Sequence, residues 1–539
     1  MVLGAGGGTC SYEEIETTDL VVLWGSNARE AHPIFFHHLM KGVRSGAKMY
    51  AVDPRRTSSA QWADTWLGID VGSDIALANA VGREIISAGL ANRAFIDHST
   101  SGFDAYAAAV EPYTLEHAEG ITGVPARVIR DLAHDYATAK TAQICWTLGI
   151  TEHHNATDNV LALINLALLT GHVGRYGSGL VPIRGQNNVQ GGGDMGALPN
   201  KFPGFQDVED PAARGKFEAL WGHPVPPDPG LHISLMFEAM EHGDLRALYV
   251  IGENPADSEA DVGRVRGLLE GLDFMVVQDL SMTRTAAMAD VVFPAAVGWA
   301  ESEGTVTSSE RRVQRVRKAL EPPGDAKDDL EIISLLAARM GHSWGVPTAE
   351  ETWDELRALS PMHAGMSYER LDAVGGLQWP CPDLDHPGTK FLHAWLWEDP
   401  MPRDPAPFVP TPWVPPVDEL SDDFPIRLTT GRRLDSYNTG VQSGGYASPI
   451  RSGGIIELAP EDGAELGLEP GDVVTVTSRR GSIDVPVHFH DSLRPGLAFM
   501  ALHFPDEADV NQLTIDAWDP KSGTAEFKAT AVRVERTSN

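Results

Sequence analysis

Two stretches, LVVLWGSN at residues 20–27 and AVDPRRTSSAQWAD at residues 51–64, indicate the fold class of this chain most clearly. Leu20–Trp24 is an unbroken apolar run, which is typical of a strand that is buried on both faces. A helix-forming stretch follows it and leads to Lys48–Val52, a second short run of strand type. Strand, helix and strand in this order form a βαβ unit, so the sequence predicts a mainly parallel sheet.

The same pattern returns later in the chain, in LYVIGENP at residues 248–255 and VVQDLSMTRTAAMAD at residues 276–290. When Asp53 is set against Asp279, identical residues follow at the same spacing: Thr57 and Thr283, Ala60 and Ala286, Ala63 and Ala289, Asp64 and Asp290. Gly25-Ser26-Asn27 matches Gly252-Glu253-Asn254 with a shift of one residue. This internal repeat predicts two related α/β halves.

The repeated residues fall where an open parallel sheet binds ligands, at the carboxyl ends of its strands. A glycine there lets a phosphate approach the backbone, and an acid on the next strand accepts hydrogen bonds from ribose hydroxyls or a purine N–H edge. The alternative is that these residues serve only as turns. Neither half has the GxGxxG pattern, so a standard NAD site is not supported. The sequence predicts one dinucleotide site at Gly25, Asn27 and Asp53, and a second at Gly252, Asn254 and Asp279.

The composition is that of an ordinary globular chain of 539 residues, with 42% apolar and 22% charged residues. Its net charge of −33 argues against nucleic acid and membrane surfaces as partners, because both are anionic. No apolar run reaches the roughly 18–20 residues of a membrane helix, so we expect no membrane insertion. The start MVLGAGGGTC lacks the pattern of a signal peptide. We therefore expect a cytoplasmic protein.

The cysteines and paired histidines offer no metal site by their spacing. Cys10, Cys145 and Cys381 are far apart, which excludes CxxC-type iron–sulfur or zinc motifs within this chain. The histidine pairs at 37–38 and 153–154 are sequence neighbours, whose side chains point in different directions on a helix or strand. We therefore predict no metal ligand among these residues.

The C-terminal part begins after a proline-rich segment. Residues 400–416 contain eight prolines in 17 residues, so neither a helix nor a central strand runs through them. They are either an extended connector or a packed surface strap. Beyond them, Val473–Thr477 and Ile483–Phe489 have the β-branched pattern of short strands. Residues 460–466 are predicted to form one short helix. Short strands with glycine-rich turns predict a compact barrel.

A basic run, residues 310–318, stands out in an acidic chain. Such a run is typical of a solvated or salt-bridged face. The alternative is a contact with an anionic cofactor or between domains.

One string carries a family resemblance. RGQNNVQG at residues 184–191, followed by DMGALPN at 194–200, resembles the signature of the catalytic (alpha) subunit of molybdenum- or tungsten-dependent formate dehydrogenases, within the molybdopterin oxidoreductases. Supporting motifs run along nearly the whole chain: GSN…AHP (25–33), VDPRRT (52–57), GSDIALANA (72–80), GENP (252–255), ADVVFPA (289–295), TTGR (429–432), NQLT (511–514) and EFKATAVRVE (526–535).

The resemblance implies an α/β fold with two pseudo-symmetric open parallel-sheet domains and a C-terminal six-stranded β-barrel that closes over the cofactor. It divides the chain into a first pterin-dinucleotide domain at 1–184, a second at 185–345, an irregular proline-rich connector at 346–420 and the barrel at 421–539. It implies a molybdenum or tungsten ion bound by two molybdopterin guanine dinucleotides, formate or a similar small carboxylate as substrate, and an iron–sulfur electron-transfer subunit as partner.

The resemblance also assigns roles to residues of this chain. Arg184 is the substrate clamp, since a guanidinium matches a planar carboxylate, and Gln186 is its neighbour. Asp53 and Asp279 read the guanosine ends of the two cofactors, and Arg55 faces a diphosphate or a base, unless it is a solvated surface arginine. The remaining predicted cofactor contacts are Gly25, Ser26, Asn27, Gly72, Asp74, Gly252, Asn254, Gln278, Thr283, Gly431, Arg432, Asn511, Phe527 and Lys528.

The chain departs from the family in two respects. Gly192-Gly193 replace the Ala-Cys of the family's QGACDMG string, and these small residues preserve close packing, so we expect no loss of function from them. The second departure concerns the N-terminus. The family has a CxxCxxxC cluster motif and a metal-ligating Cys or selenocysteine followed by His near its N-terminus, and this sequence has neither. We expect that segment to lie upstream, behind a selenocysteine codon read as a stop, or in another chain, together with any iron–sulfur cluster. The alternatives are a non-catalytic pterin-binding relic or scaffold, and a molybdopterin oxidoreductase for another small substrate.

Overall fold

The computed structural model describes residues 2–4, 6–434, 436–440 and 453–537. The chain divides into two compact units, which are described one at a time. The first contains Met1–Gly185, Asp257–Val265 and Phe391–Asn539, and the second contains Gln186–Ala256 and Arg266–Lys390. Within the described ranges, no helix is long and apolar enough to cross a membrane.

A five-stranded parallel sheet forms the centre of the first unit. Its strands lie in the spatial order Thr65–Leu67, Lys48–Val52, Leu20–Trp24, Ala142–Trp146 and Gly179–Pro182. The predicted strands at 20–24 and 48–52 are confirmed. Side chains alternate between the two faces of the sheet, so Val22 and Trp24 join one buried apolar cluster while Val21 and Leu23 join another. Both faces are buried, which explains the continuous apolar run.

Helices cover both faces of this sheet. They are Ala28–Ala31, Pro33–Arg44, Asp74–Ser87, Arg93–Ser99, Phe103–Val110, Leu115–Thr122, Ala126–Thr138, Leu148–Thr151 and Ala156–Thr170, with 3₁₀ turns at Tyr12–Thr17 and Ala60–Trp62. The two clusters under these helices give the unit its core.

The proline-rich segment is a packed strap on the same unit. Ala406–Pro407 pairs with the short strand Thr100–Ser101, after a 3₁₀ turn at Ala394–Trp397. Asn165 exchanges hydrogen bonds with Val409, at 2.7 Å from its side-chain amide and 3.1 Å to its side-chain oxygen. Asn79 donates to the Thr411 carbonyl at 2.8 Å. Buried side-chain amides thus satisfy a backbone that proline prevents from forming regular structure.

The C-terminal part of the first unit is a closed six-stranded barrel, as predicted. Its strands follow the order Ile426–Gly431, Leu497–Ala501, Ile456–Leu458, Ser482–Phe489, Val473–Thr477 and Thr530–Arg536. The helix Pro460–Glu465 lies where the sequence predicted it, and Val510–Gln512 is a 3₁₀ turn. Alternate apolar residues such as Val474 and Val476 are fully buried and fill the interior.

The second unit has its own parallel sheet, with strands Ala247–Ile251, Phe274–Asp279 and Val291–Pro294. An antiparallel sheet contains Gly304–Thr307, Arg312–Val316 and Leu377–Gln378, and Lys201–Phe202 pairs with Gln206–Asp207. Its helices are Val189–Asp194, Pro211–Trp221, Ile233–Glu241, Arg284–Met288, Asp329–Arg339, Ala349–Leu359 and Tyr368–Val374. Helices Pro255–Ser258 and Val262–Glu270 contain points where the chain passes between the units. The predicted domain boundaries stay predictions. Residues 346–420, predicted as an irregular connector, contain the helices Ala349–Leu359 and Tyr368–Val374.

The basic run at 310–318 is mostly the predicted salt-bridged face. Arg312 pairs with Glu310 at 2.7 Å, and Arg317 pairs with Asp372 at 2.5 Å. Arg311 is the exception, because its side chain is fully buried and donates to the carbonyls of 379, 389 and 390. Its charge is dispersed over carbonyl dipoles within the unit.

Candidate functional site

The loops at the carboxyl end of the first sheet form a cleft together with barrel residues of the same unit. The sheet loops provide Gly25, Asn27, Asp53, Arg55, Gly72 and Asp74 to its lining, and the barrel provides Gly431, Arg432 and Lys528. Nine of the predicted cofactor contacts are therefore brought together in one place.

Close backbone packing explains the glycine that ends the first strand. Gly25 has a φ of 57°, and a Cβ placed on it would lie 2.8 Å from the carbonyl carbon of Gly149. The Gly25 amide donates to Val52 at 2.8 Å, and its carbonyl accepts from the Thr147 hydroxyl at 2.7 Å. Only glycine combines this φ with such a close approach. Residues 147–149, where the helix Leu148–Thr151 begins, line the cleft at this point.

The polar side chains of the first strand ends are held by the backbone. The Asn27 side-chain oxygen accepts from the Ser59 hydroxyl at 2.9 Å and the Ser59 amide at 3.3 Å. One Asp53 oxygen accepts from the Arg55 amide at 2.9 Å. Burial raises the pKa of Asp53 to about 6, although the Arg55 charge and amide oppose the shift. A desolvated carboxylate of this kind gains from a ligand that donates hydrogen bonds to it.

Arg55 and Lys528 bring positive charge close to this carboxylate, and Arg432 lines the same cleft. Arg55 lies over the Phe499 ring, 3.4 Å from its centroid. Lys528 is buried, pairs with Glu152 at 2.5 Å and donates to the Thr430 carbonyl. The Arg432 Nε is buried and has no hydrogen-bond partner among the described residues. Positive groups of this kind in a strongly acidic protein favour an anionic ligand.

The second half-site, in the second unit, makes the same hydrogen bonds as the first half-site. Gly252 has a φ of 64°, and its amide donates to Gln278 at 2.8 Å. The Asn254 oxygen accepts from the Thr285 hydroxyl at 2.8 Å and the Thr285 amide at 3.2 Å. Asp279 accepts from the Ser281 amide at 2.9 Å, as Asp53 does from Arg55. The repeat read from the sequence is therefore structural.

The match extends beyond the strand ends. Asp64 accepts from the Met49 amide at 2.8 Å, and its counterpart Asp290 accepts from the Met275 amide at 2.7 Å. These two carboxylates tie the end of one loop to the start of the preceding strand. Both are therefore backbone anchors.

Several predicted site residues lie outside the lining of the cleft. Asn511 donates to the Asp257 carbonyl, and Phe527 accepts from the Thr430 hydroxyl at its own carbonyl. The Arg184 guanidinium donates to the Gly6 carbonyl at 2.6 Å. Gln186 is an exposed residue of the second unit. Ser26 is buried next to the cleft, and its hydroxyl has no hydrogen-bond partner in the described ranges.

In the second unit, two further predicted contacts have partners of their own. The Gln278 side chain bonds to Tyr249 and Asp329, and the Thr283 hydroxyl caps the helix that starts at Arg284. The binding roles of all these residues stay predictions.

Sequence reasoning missed two histidines that line the cleft, His32 and His153. His32 bonds to the Arg184 carbonyl at 2.5 Å, and burial lowers its pKa. Its buried Nδ1 has no hydrogen-bond partner within the part of the chain that the structure describes. The AHP motif contained His32 but gave no sign of this contact. His153 contacts Glu526, from which it is separated by 373 positions in the sequence. No local pattern could have found that pair.

The cleft fits a polar, anionic ligand that also donates hydrogen bonds. The Arg432 Nε and the His32 Nδ1, which have no partner among the described residues, belong to lining residues. The Asp53 carboxylate lines the same cleft, and burial raises its pKa. Buried polar atoms of this kind require partners. A dinucleotide supplies both phosphate oxygens and base N–H groups.

These features define a dinucleotide-binding protein with a duplicated strand-end site and a barrel beside the first copy. Residues 4–339 match the family model for molybdopterin oxidoreductase, and residues 426–531 match that for the molybdopterin dinucleotide binding domain. The chain belongs to the molybdopterin oxidoreductase family. Its cofactor is therefore molybdenum or tungsten bound by molybdopterin guanine dinucleotide, as the resemblance implied.

Several relatives are similar over 99% of this chain. Subunit alpha of F420-dependent formate dehydrogenase 2 from Methanococcus maripaludis is 41% identical, with 78% of its own length covered. Subunit alpha of the F420-dependent formate dehydrogenase from Methanocaldococcus jannaschii is also 41% identical, with 79% covered. Formate dehydrogenase H from Escherichia coli is 40% identical, with 75% covered. Among solved structures, acetylene hydratase from Pelobacter acetylenicus has a TM-score of 0.75 at 19% identity, over 99% of this chain and 79% of that one, which is a likeness of fold.

Proposed function

We propose that this chain is the catalytic subunit of a molybdenum- or tungsten-dependent formate dehydrogenase. It oxidises formate to carbon dioxide, HCOO⁻ → CO₂ + H⁺ + 2e⁻. The observation that carries the proposal is the identity of 40–41% to three formate dehydrogenases over 99% of the chain. The electrons pass to an iron–sulfur partner subunit, as the alpha-subunit names of two relatives favour, and the complex is cytoplasmic.

The residues of the first cleft bind and orient one dinucleotide. Asp53 accepts hydrogen bonds from the guanine edge, while Arg55, Arg432 and Lys528 offset the charge of the diphosphate. When bound, the metal and its pterins supply the two-electron redox chemistry, and the protein positions and tunes them. Asp279 and its neighbours hold the second dinucleotide in the same way.

Arg184 is the proposed formate clamp, with Gln186 as its neighbour. A guanidinium presents a planar pair of donors that matches the two oxygens of formate. The Gly6 carbonyl holds one nitrogen of Arg184, and His32 donates to the Arg184 carbonyl. These contacts fix the residue from both its side chain and its backbone.

The test is to measure molybdenum, tungsten and guanine nucleotide in the purified protein, and formate-dependent dye reduction with the protein in its natural complex. We expect metal and nucleotide to co-purify and formate to reduce the dye. Bound cofactor without formate activity would favour another small substrate, and a protein without pterin or metal would favour a scaffold.

The clamp is tested by Arg184→Lys, with Arg44→Lys as the matched control at an exposed position of the same unit. Loss of a charge-assisted two-pronged contact is worth about 1.5–3 kcal/mol, so kcat/KM for formate should fall on the order of 10–100-fold. R44K should leave it unchanged. An R184K enzyme with unchanged kcat/KM would remove Arg184 from the substrate site.

A further inference from the structure

One buried carboxylate joins the barrel to the wall of the first cleft. Glu526 is fully buried. One of its oxygens accepts from the amides of Lys528 and Ala529 at 2.9 and 3.0 Å. The other accepts from the His154 amide at 3.0 Å, and the side chains of His153 and His154 also reach it. We name these three residues, Glu526, His153 and His154, the Glu526 junction.

The geometry determines the protonation state of His153. Its Nδ1 lies 3.3 Å from a Glu526 oxygen, and its Nε2 lies 3.2 Å from the Gly149 carbonyl oxygen. Both partners accept hydrogen bonds, and only the imidazolium form has N–H groups on both ring nitrogens. A neutral ring would direct a lone pair at one of these oxygens. His153 is therefore protonated, although it is 2% exposed.

The surrounding charges favour the same state. Glu526 and Asp74 are the carboxylates that face His153, while Lys528 opposes its charge and His154 shares Glu526. Burial alone lowers the pKa of His153, but the Glu526 carboxylate outweighs it, and the net shift is upward. The same pairing holds the pKa of Glu526 well below its usual range in spite of burial. Both shifts favour the ionised pair.

His153 also lines the cleft, which His154 does not. With Arg55, Arg432 and Lys528 it makes four cations among the described lining residues, against the carboxylates Asp53 and Asp74. Its N–H to Gly149 holds the loop that packs against Gly25. The imidazolium thus adds charge to the cleft and fixes its wall at the same point.

We propose that His153 is a cofactor-binding residue, an imidazolium for the anionic phosphate linkage of the dinucleotide, and that Glu526 is its buried counter-ion. The proposal rests on the cofactor of the family and is independent of formate as the substrate. His153 adds positive charge where the phosphates lie, and Glu526 keeps that charge in place from the barrel side.

The first test measures release of guanine nucleotide and metal from the purified protein after gel filtration at pH 7.5. His153→Gln keeps a hydrogen-bonding side chain but removes the charge, so release should be on the order of tenfold faster. The matched control is His154→Gln, which loses the same carboxylate contact outside the cleft and should release at the wild-type rate. Equal release from H153Q and the wild type, or from H153Q and H154Q, contradicts the proposal.

The second test uses Glu526→Gln, which keeps an acceptor but removes the counter-charge. Without that charge, burial lowers the pKa of His153, so nucleotide release from E526Q should accelerate as the pH rises from 6 to 8. The double variant H153Q/E526Q should show no such dependence. Nucleotide release from E526Q that does not depend on pH would overturn the assignment. So would a double variant whose release has the same pH dependence as that of E526Q, since a purely structural junction predicts either result.

A third test needs no bound cofactor, and its decisive measurement is on the wild-type protein. Wild-type protein labelled with ¹⁵N-histidine should show one buried ring with protons on both nitrogens at pH 7.5. That signal should be absent from H153Q and retained in H154Q. A wild-type spectrum in which every buried histidine is neutral at this pH refutes the imidazolium, whatever the cofactor content.

Discussion

The strand-end loop at Gly25 and its counterpart at Gly252 make the same bond in different surroundings. Each glycine has a positive φ and donates its amide to the neighbouring strand at 2.8 Å. A Cβ on Gly25 would meet the backbone of Gly149 at 2.8 Å, whereas a Cβ on Gly252 would meet no described atom within 4 Å. The backbone scaffold is therefore duplicated, and the wall that closes on it is not.

The carboxylates of the two half-sites show the same divergence. Asp53 and Asp279 both accept the amide two residues on, and burial raises the pKa of both. Arg55 adds a cation beside Asp53, but the repeat places the uncharged Ser281 at the equivalent position. The repeat has therefore preserved the geometry of the loop, while the charge around each carboxylate has changed.

The largest contrast is expected from alanine at the two glycines. Gly25→Ala combines a left-handed φ with a clash against backbone, so it should lower the free energy of unfolding of the first unit by about 3–4 kcal/mol. Gly252→Ala has only the φ cost and should lower that of the second unit by about 1 kcal/mol. Chemical denaturation followed by probes in each unit measures both.

A control separates the φ cost from the clash in the first unit. Gly89 has a φ of 70° and open space around its Cα, so Gly89→Ala should cost about 1 kcal/mol. If G25A is no worse than G89A, the close approach of loop 147–149 has no energetic weight and the contrast between the half-sites disappears.

Local pattern predicted much of this scaffold. The strands Leu20–Trp24 and Lys48–Val52 have the bounds read from the sequence, because an apolar run that ends in a turn residue marks a buried strand. The repeat predicted the equivalence of Asp53 and Asp279, since spacing between hydrogen-bonded residues is preserved with the loop. The barrel followed from β-branched alternation between turns.

The Glu526 junction could not be predicted in the same way. Adjacent histidine side chains point in different directions, but a residue can also bind through its backbone: His154 reaches Glu526 with its amide as well as its ring. A carboxylate from a distant part of the sequence can therefore accept hydrogen bonds from both adjacent histidines. Such contacts depend on how the barrel docks, which no local period encodes.

The second contrast concerns charge. Asp53→Asn removes a desolvated carboxylate, so the cofactor-free protein should become more stable by about 2–3 kcal/mol above pH 6. The direction of this change follows from the raised pKa, because the folded state disfavours the ionised form of Asp53. The resulting loss of stability is complete above about pH 6 and vanishes below the unfolded pKa of 3.8. Asp279→Asn should give a smaller gain of the same sign, because Asp279 is less deeply buried.

The same substitution should weaken the cofactor site. The side-chain amide that D53N introduces cannot accept two base N–H donors, so nucleotide retention by this variant should fall on the order of tenfold at pH 7.5. Thermal unfolding between pH 4 and 8, with and without bound nucleotide, measures both effects. A D53N protein that is less stable than the wild type at pH 8 would show that the carboxylate is a structural anchor and that its desolvation is already compensated.

The smallest expected effect concerns two matching hydrogen bonds of the repeat, and it tests whether they contribute equally to stability. The Thr57 and Thr283 hydroxyls each accept the amide three residues on, from Ala60 at 3.2 Å and Ala286 at 3.0 Å. Thr→Ala at either position removes one cap and should lower stability by about 1 kcal/mol, while Thr→Ser should restore it because the hydroxyl remains. Denaturation of T57A and T283A, each against its serine variant, makes the comparison within one unit at a time. If only T283A loses stability, the hydroxyl stabilises the helix Arg284–Met288 but not the shorter 3₁₀ turn Ala60–Trp62. The two matching hydrogen bonds would then differ in energy.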